Sequence, residues 1–202
     1  MEITKTHHKL KVALVSIGIV IVLALVGAAA LLVLAERAVS NYRGDTAAQL
    51  NDVTAGRTTG VPVTLRQIPF GEILNQDYRR VGRLDQTYQK LLTDTKSYIA
   101  LRDAHDALVA QYNSGINGDK PLSGDVLIAV NKYQAVLENR FPNEEDQARA
   151  AGDLATTIAS NSDFDAVSAD IDSVLESGDR FLSELHDELV AHISDFQKQV
   201  NS

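Results

Sequence analysis

Three groups of side chains have the types and spacing that chemistry would need. Glu184, Glu188 and His192 follow one another at i, i+4 steps, so a helix there sets two carboxylates and an imidazole on one face. Metal sites in helical bundles use such spacing together with a matching Glu-x-x-His set from a second helix. The chain has no second set, its other histidines beyond residue 100 being His105 and His186. Three helical turns also spread the donors over about 12 Å, too far for one ion. No metal and no cofactor is therefore expected.

His105 lies among Arg102, Asp103 and Asp106. Histidine changes charge near neutral pH and ligates metals, so it could serve as a ligand or a proton-linked switch. The same position suits a core-edge histidine hydrogen-bonded to a neighbouring helix. Arg79, Arg80 and Arg83 form a basic cluster. Arg79 and Arg83, one helical turn apart, could clamp a carboxylate or phosphate; the alternative is ion pairing within the fold, with the acidic last helix as the natural partner. Arg79, Arg80, Arg83 and His105 are the candidate interaction residues.

Signatures of enzyme chemistry do not accompany them. His-Glu-x-x-His, the Walker loop, Gly-x-Ser-x-Gly and Gly-x-Gly-x-x-Gly are all missing from the sequence. The chain has no cysteine, which excludes disulfides, Cys-ligated zinc, iron–sulfur clusters and a thiol nucleophile. Arg43-Gly44-Asp45 matches an integrin-binding tripeptide but falls on an expected helix, where a chance match is the simpler reading.

The elements that must position these residues begin with an apolar stretch. Val12 to Ala35 are 24 residues without a charge. As a helix they extend about 36 Å, against about 30 Å for the hydrocarbon core of a bilayer. A cleaved signal peptide usually has a shorter apolar region, about 7–15 residues, although Val33 and Ala35 have the small-residue spacing of a cleavage site. The stretch reads as a membrane anchor, and Ala24-x-x-x-Ala28 within it would let two spans approach closely. Lys5, Lys9 and Lys11 precede it, which places residues 1–11 in the cytoplasm and the remainder outside. The His7-His8 pair in that tail reads as solvated.

Beyond the anchor the apolar spacing is helical almost throughout. Ala35, Val39, Tyr42, Thr46, Leu50 and Val53 continue the anchor as a stalk over residues 36–56. Residues 57–69 carry Gly60, Pro62 and Pro69 and read as an extended linker, with "VTLRQI" suited to β conformation. A helix from Phe70 to Asn113 follows, striped by Leu74, Val81, Leu84, Tyr88, Leu91, Thr95, Tyr98, Leu101, His105, Leu108 and Tyr112. The Gly- and Asn-rich segment before Pro121 ends it, and the next helix is striped by Val126, Val130, Tyr133, Leu137 and Phe141. "FPNEED" interrupts that helix, with Asn143 as the expected N-cap of an Ala-rich helix running to Ser160. Ser162-x-x-Asp165 resembles a capping box and opens a last helix striped by Phe164, Val167, Ile171, Val174, Gly178, Phe181, Leu185, Leu189, His192, Phe196 and Val200. The fold class expected is all-α. A transmembrane helix leads into an antiparallel bundle over 70–202, with three columns, the middle one broken at Pro142, two long helices and the stalk available as a fourth.

Charge narrows the partners. Residues 142–202 hold 3 basic and 14 acidic side chains, a net of −11, which disfavours nucleic acid. The expectation is an integral, single-span membrane protein whose helical bundle serves as an interaction or scaffold component of a bacterial-type cell envelope. Another envelope protein or a second copy would be its partner, through helix-on-helix or coiled-coil contact. A ligand-sensing bundle signalling through a partner is the alternative, and a metal-dependent enzyme a more distant one.

Overall fold

The computed structural model describes residues 3–55, 62–116, 124–161 and 163–202. Among these the chain is all-α, six helices with no strand: α1 (Ile3–Thr54), α2 (Gly71–Leu74), α3 (Gln76–Ile116), α4 (Gly124–Arg140), α5 (Glu145–Ser160) and α6 (Phe164–Asn201). Packing groups the chain into two units. One comprises Met1–Asn51, Thr59–Gln89 and Phe196–Ser202; the other comprises Asp52–Thr58 and Lys90–Asp195. The turn before Pro121 and the Ser162 capping position lie outside the described residues.

In the first unit α1 changes character along its length. From Ile17 to Val26 its large apolar side chains are exposed on every face, Leu23 and Leu25 at 65%. A helix apolar all round is one that expects a non-aqueous surround. This is the one helix among the described residues long and apolar enough to cross a membrane, with a mean hydropathy of 3.1 in its most apolar window. From residue 35 a single stripe is buried instead: Ala35, Val39, Tyr42, Thr46 and Leu50. Buried Thr46 satisfies its hydroxyl by donating to the Tyr42 carbonyl, 2.7 Å away.

Part of that stripe is covered by the segment after residue 61 and by the start of α3. Ala35, Ala38, Val39 and Tyr42 share a core with Ile68, Tyr78 and Val81, and Leu31, Val63 and Leu65 pack against it. The segment at residues 62–68 is not a strand. Its backbone groups bond to side chains of the flanking helices rather than to a strand partner. The Val63 N–H donates to Gln49 Oε1 (3.2 Å), the Ile68 N–H donates to the Tyr78 hydroxyl (2.9 Å), and that hydroxyl donates to the Arg66 carbonyl (2.7 Å).

The long helix expected from Phe70 starts later, at Gln76. Phe70 takes a left-handed conformation (φ 58°, ψ 10°) and precedes the single turn of α2. Asn75 then breaks the chain in extended conformation and caps α3, its Oδ1 accepting the Tyr78 N–H at 2.8 Å. Gly71 is buried here, and a Cβ at that position would lie 2.9 Å from the Tyr78 ring. Only glycine lets the turn close on the ring.

Four helices build the core of the second unit. Leu101, Ala104, Leu108 and Tyr112 of α3 meet Val126, Val130, Tyr133 and Leu137 of α4, Ala151, Leu154 and Ile158 of α5, and Val167, Ile171 and Val174 of α6. The fourth column here is therefore α5. It lies side by side with α4, so Pro142 produces a hairpin instead of a break within one column. The Glu144 N–H donates to the Phe141 carbonyl across that turn at 2.9 Å. Glu144, and not Asn143, occupies the N-cap of α5 and makes no side-chain capping bond; Glu145 and Asp146 in the first turn oppose the helix dipole.

Phe181 is buried in this core and meets Phe141 edge-on, with centroids 5.6 Å apart and planes at 82°. Truncation of a buried ring removes both transfer energy and packing. Phe181→Ala is expected to lower stability by about 3–5 kcal/mol in urea titrations followed by circular dichroism.

Candidate functional site

The candidate residues fall into both units and gather into two clusters. In the first unit, α1 and α3 face each other through a polar seam beside their apolar stripe. The Tyr42 hydroxyl donates to Asp85 Oδ1 at 2.9 Å. One turn further along α3, the Tyr88 hydroxyl donates to Gln49, the same amide oxygen that accepts from Val63. The Tyr42 and Tyr88 rings meet edge-on at 6.0 Å, and Tyr88 stacks on Phe196 at 5.9 Å. Burial pushes the Tyr42 hydroxyl well above the usual tyrosine range, and its hydrogen bond to Asp85 adds to this.

Of the arginine cluster, only Arg80 belongs to the seam. It is half-buried and pairs with Asp77 of its own helix (3.4 Å), which also meets Arg43 of α1 at 3.7 Å. The pairing that the sequence suggested with the acidic last helix is made with Asp77 instead. Arg79 and Arg83 are exposed. Nε of Arg43 and both Nε and Nη2 of Arg80 are buried without a hydrogen-bond partner, so the Asp77 contacts are ion pairs of distance rather than aligned hydrogen bonds. Chemically this group sets the register of α3 against α1. Asp77 was not singled out in the sequence, and Arg43 stood out only as part of the Arg43-Gly44-Asp45 tripeptide, which says nothing of this pairing.

His105 sits in the second unit and is fully buried. Its Nε2 lies 3.2 Å from the Leu175 carbonyl and 3.6 Å from Asp179 Oδ1, both on α6. The ring meets Tyr133 of α4 at 5.8 Å and 61°. Since a carbonyl only accepts, the hydrogen bond places a proton on Nε2. The Tyr133 hydroxyl is buried with no hydrogen-bond partner. Gly178 makes room for both rings: a Cβ there would lie 2.7 Å from His105 Cδ2 and 2.7 Å from the Tyr133 oxygen. This contact was invisible in the sequence, where Gly178 reads as one more small residue of the stripe.

Glu184, Glu188 and His192 are all exposed. Among the described residues no group of three His, Asp or Glu side chains is arranged to hold a metal ion. Glu184 and Glu188 line an open cleft of about 320 Å³ beside the α4–α5 turn, together with Phe141, Glu144 and Phe181. His192 is not among its lining residues. His186, not a candidate, meets the Tyr98 ring at 5.8 Å.

Comparison of the chain with protein-family models, with curated proteins and with solved structures finds no match in any of the three. What the fold defines is a class: an all-α bundle with, among the described residues, one helix long and apolar enough to span a membrane, near the N-terminus.

Gly178→Ala gains about 1 kcal/mol of helix propensity but forces the buried pair apart, and overpacking costs about 1–3 kcal/mol. Denaturant titration should show a net loss. Tyr133→Phe, which removes a hydroxyl lacking a partner, should be neutral or stabilising by the same measurement.

Tyr133 is pushed up to about 12 by burial, and then by the charge of Asp179. Tyr112 rises to about 12 through burial and then its hydrogen bond to Asp172. An unfolded tyrosine ionises near 10, so the unfolded chain sheds these protons first. Their contribution is complete below about pH 10 and is lost as pH rises toward 12. Stability measured against pH should fall across that window, and less steeply in Tyr133→Phe.

Proposed function

We propose that this chain is a single-pass, membrane-anchored protein of a bacterial-type cell envelope. Its residues 1–11 are cytoplasmic, and its helical domain stands outside and works as an interaction or scaffold component. One observation carries the anchor reading. The same uninterrupted helix, Ile3–Thr54, holds an apolar stretch exposed on all faces and, beyond it, the buried stripe of a folded unit. A segment that is removed as a leader has no need of structural continuity with the domain it precedes. Here cleavage after Ala35 would cut through a core that includes Ala35 itself, fully buried.

The orientation rests on the lysines at positions 5, 9 and 11. The interaction role rests on the long amphipathic helices and on the acidic final third, which suit a protein partner better than a polyanion.

Protease added to intact spheroplasts should remove residues 70–202, detected with a C-terminal epitope. Their survival in the intact preparation would reverse the topology, and a mature N-terminus at Glu36 would overturn the anchor. Crosslinking in intact cells is expected to capture an envelope protein or a second copy; capture of neither would overturn the scaffold role.

A further inference from the structure

The end of the apolar stretch and the start of the folded unit overlap. Leu31 of α1 already packs against the core that contains Ala35, Ile68 and Tyr78. The uncharged run from Val12 to Ala35 extends about 36 Å as a helix, some 6 Å more than the hydrocarbon it would cross. Its last turn therefore stands at the outer edge of the lipid, and whatever packs beside Leu31 stands at the same level.

Ile68 belongs to the core that Leu31 borders, and the turn at residues 69–74 follows it directly. Ile68 is buried, but Phe70 is 69% exposed and Ile73 is 82% exposed. These are large apolar side chains with no place in the core. Phe70 also holds the only positive φ of a non-glycine residue among those described, a conformation that glycine or asparagine adopts at less cost. Strain of this kind at an exposed aromatic calls for a use of the side chain outside the fold. The turn is firmly held: the Gly71 N–H donates to the Ile68 carbonyl at 3.0 Å, and Tyr78 bonds both Ile68 and Arg66.

We infer that Phe70 and Ile73 form a membrane foot, entering the headgroup–acyl boundary of the bilayer that α1 crosses. Aromatic and branched apolar side chains favour that boundary. The foot fixes the first unit against the lipid surface at a second point, so that the unit cannot turn freely about the axis of a lone span. This inference rests on the anchor reading above.

The chain contains no tryptophan, so a single introduced indole reports its own surroundings. Phe70→Trp and, separately, Val22→Trp would be placed in the full chain and reconstituted into phosphatidylcholine vesicles. The lipids would be brominated either near the carbonyl end or near the end of the acyl chain. The expected result is blue-shifted emission for Phe70→Trp, quenched more by the shallow bromines than by the deep ones, with Val22→Trp quenched by the deep ones. Quenching of Val22→Trp alone would overturn the foot and leave the anchor standing. Blue-shifted emission at position 70 that no brominated lipid quenches would also overturn the foot, because protein would then cover the turn. No quenching at either position would overturn the anchor and the foot together.

Discussion

The first unit depends on one helix that must satisfy two surroundings. Between Ile17 and Val26 every face of α1 is apolar and exposed, a surface that is costly in water at roughly 25 cal/mol per Å². From Ala35 onward only one face is apolar, and it is buried. The change comes without a break in the helix. The extended segment at 62–68 and the start of α3 take their places by covering the stripe that begins there.

Covering a helix with extended chain brings polar backbone into a semi-buried setting, where unpaired groups cost about 1–3 kcal/mol each. Long polar side chains from the flanking helices resolve this. Gln49 reaches from α1 to the Val63 N–H, Gln89 from α3 to the Val63 carbonyl, and Tyr78 bonds both ends of the Arg66–Ile68 stretch. The same side chains tie α1 to α3, through Tyr88 on Gln49 and Tyr42 on Asp85. The second unit is organised differently. Its helices need no extended cover, and its core is closed by small residues, Ala148, Ala151 and Ala155 among them. Buried polar groups interrupt that core, the His105 ring and the Tyr133 hydroxyl among them. His105 finds a carbonyl on α6, whereas the Tyr133 hydroxyl finds no partner.

The candidate residues divide along the same physical line. Arg80 and His105 are integrated into the packing of their units, and so hold helices in register. Arg79, Arg83, Glu184, Glu188 and His192 remain exposed. A metal face of the kind suggested by the i, i+4 spacing needs a second helix to turn compatible ligands toward it. In α6 that face looks outward instead. The apolar side chains exposed at the Phe70–Ile73 turn are of another kind, because neither solvation nor packing accounts for them.

Sequence by itself determined the helical class, the long apolar stretch and nearly every buried stripe, because the 3.6-residue period survives whatever a helix packs against. Of the α3 stripe, Val81, Tyr88, Leu91, Thr95, Leu101, His105, Leu108 and Tyr112 are all buried, and so are Val126, Val130, Tyr133 and Leu137 of α4. Periodicity failed where burial is decided by something other than the helix's own repeat. Phe70 fits the spacing but stands before a break at Asn75 that local hydrogen bonding creates, and His192 fits it but is exposed. The "VTLRQI" segment has strand-forming residues yet no strand, because its neighbours are helices whose side chains supply the bonds. Contacts between distant positions were beyond reach altogether. The pairing of Arg43 with Asp77, the Gln49 link to Tyr88 and the closeness of Gly178 to His105 and Tyr133 each join residues on different helices. A one-dimensional pattern says which face of a helix seeks cover. Which other face provides it depends on how the chain turns between them, and only the tertiary structure decides that.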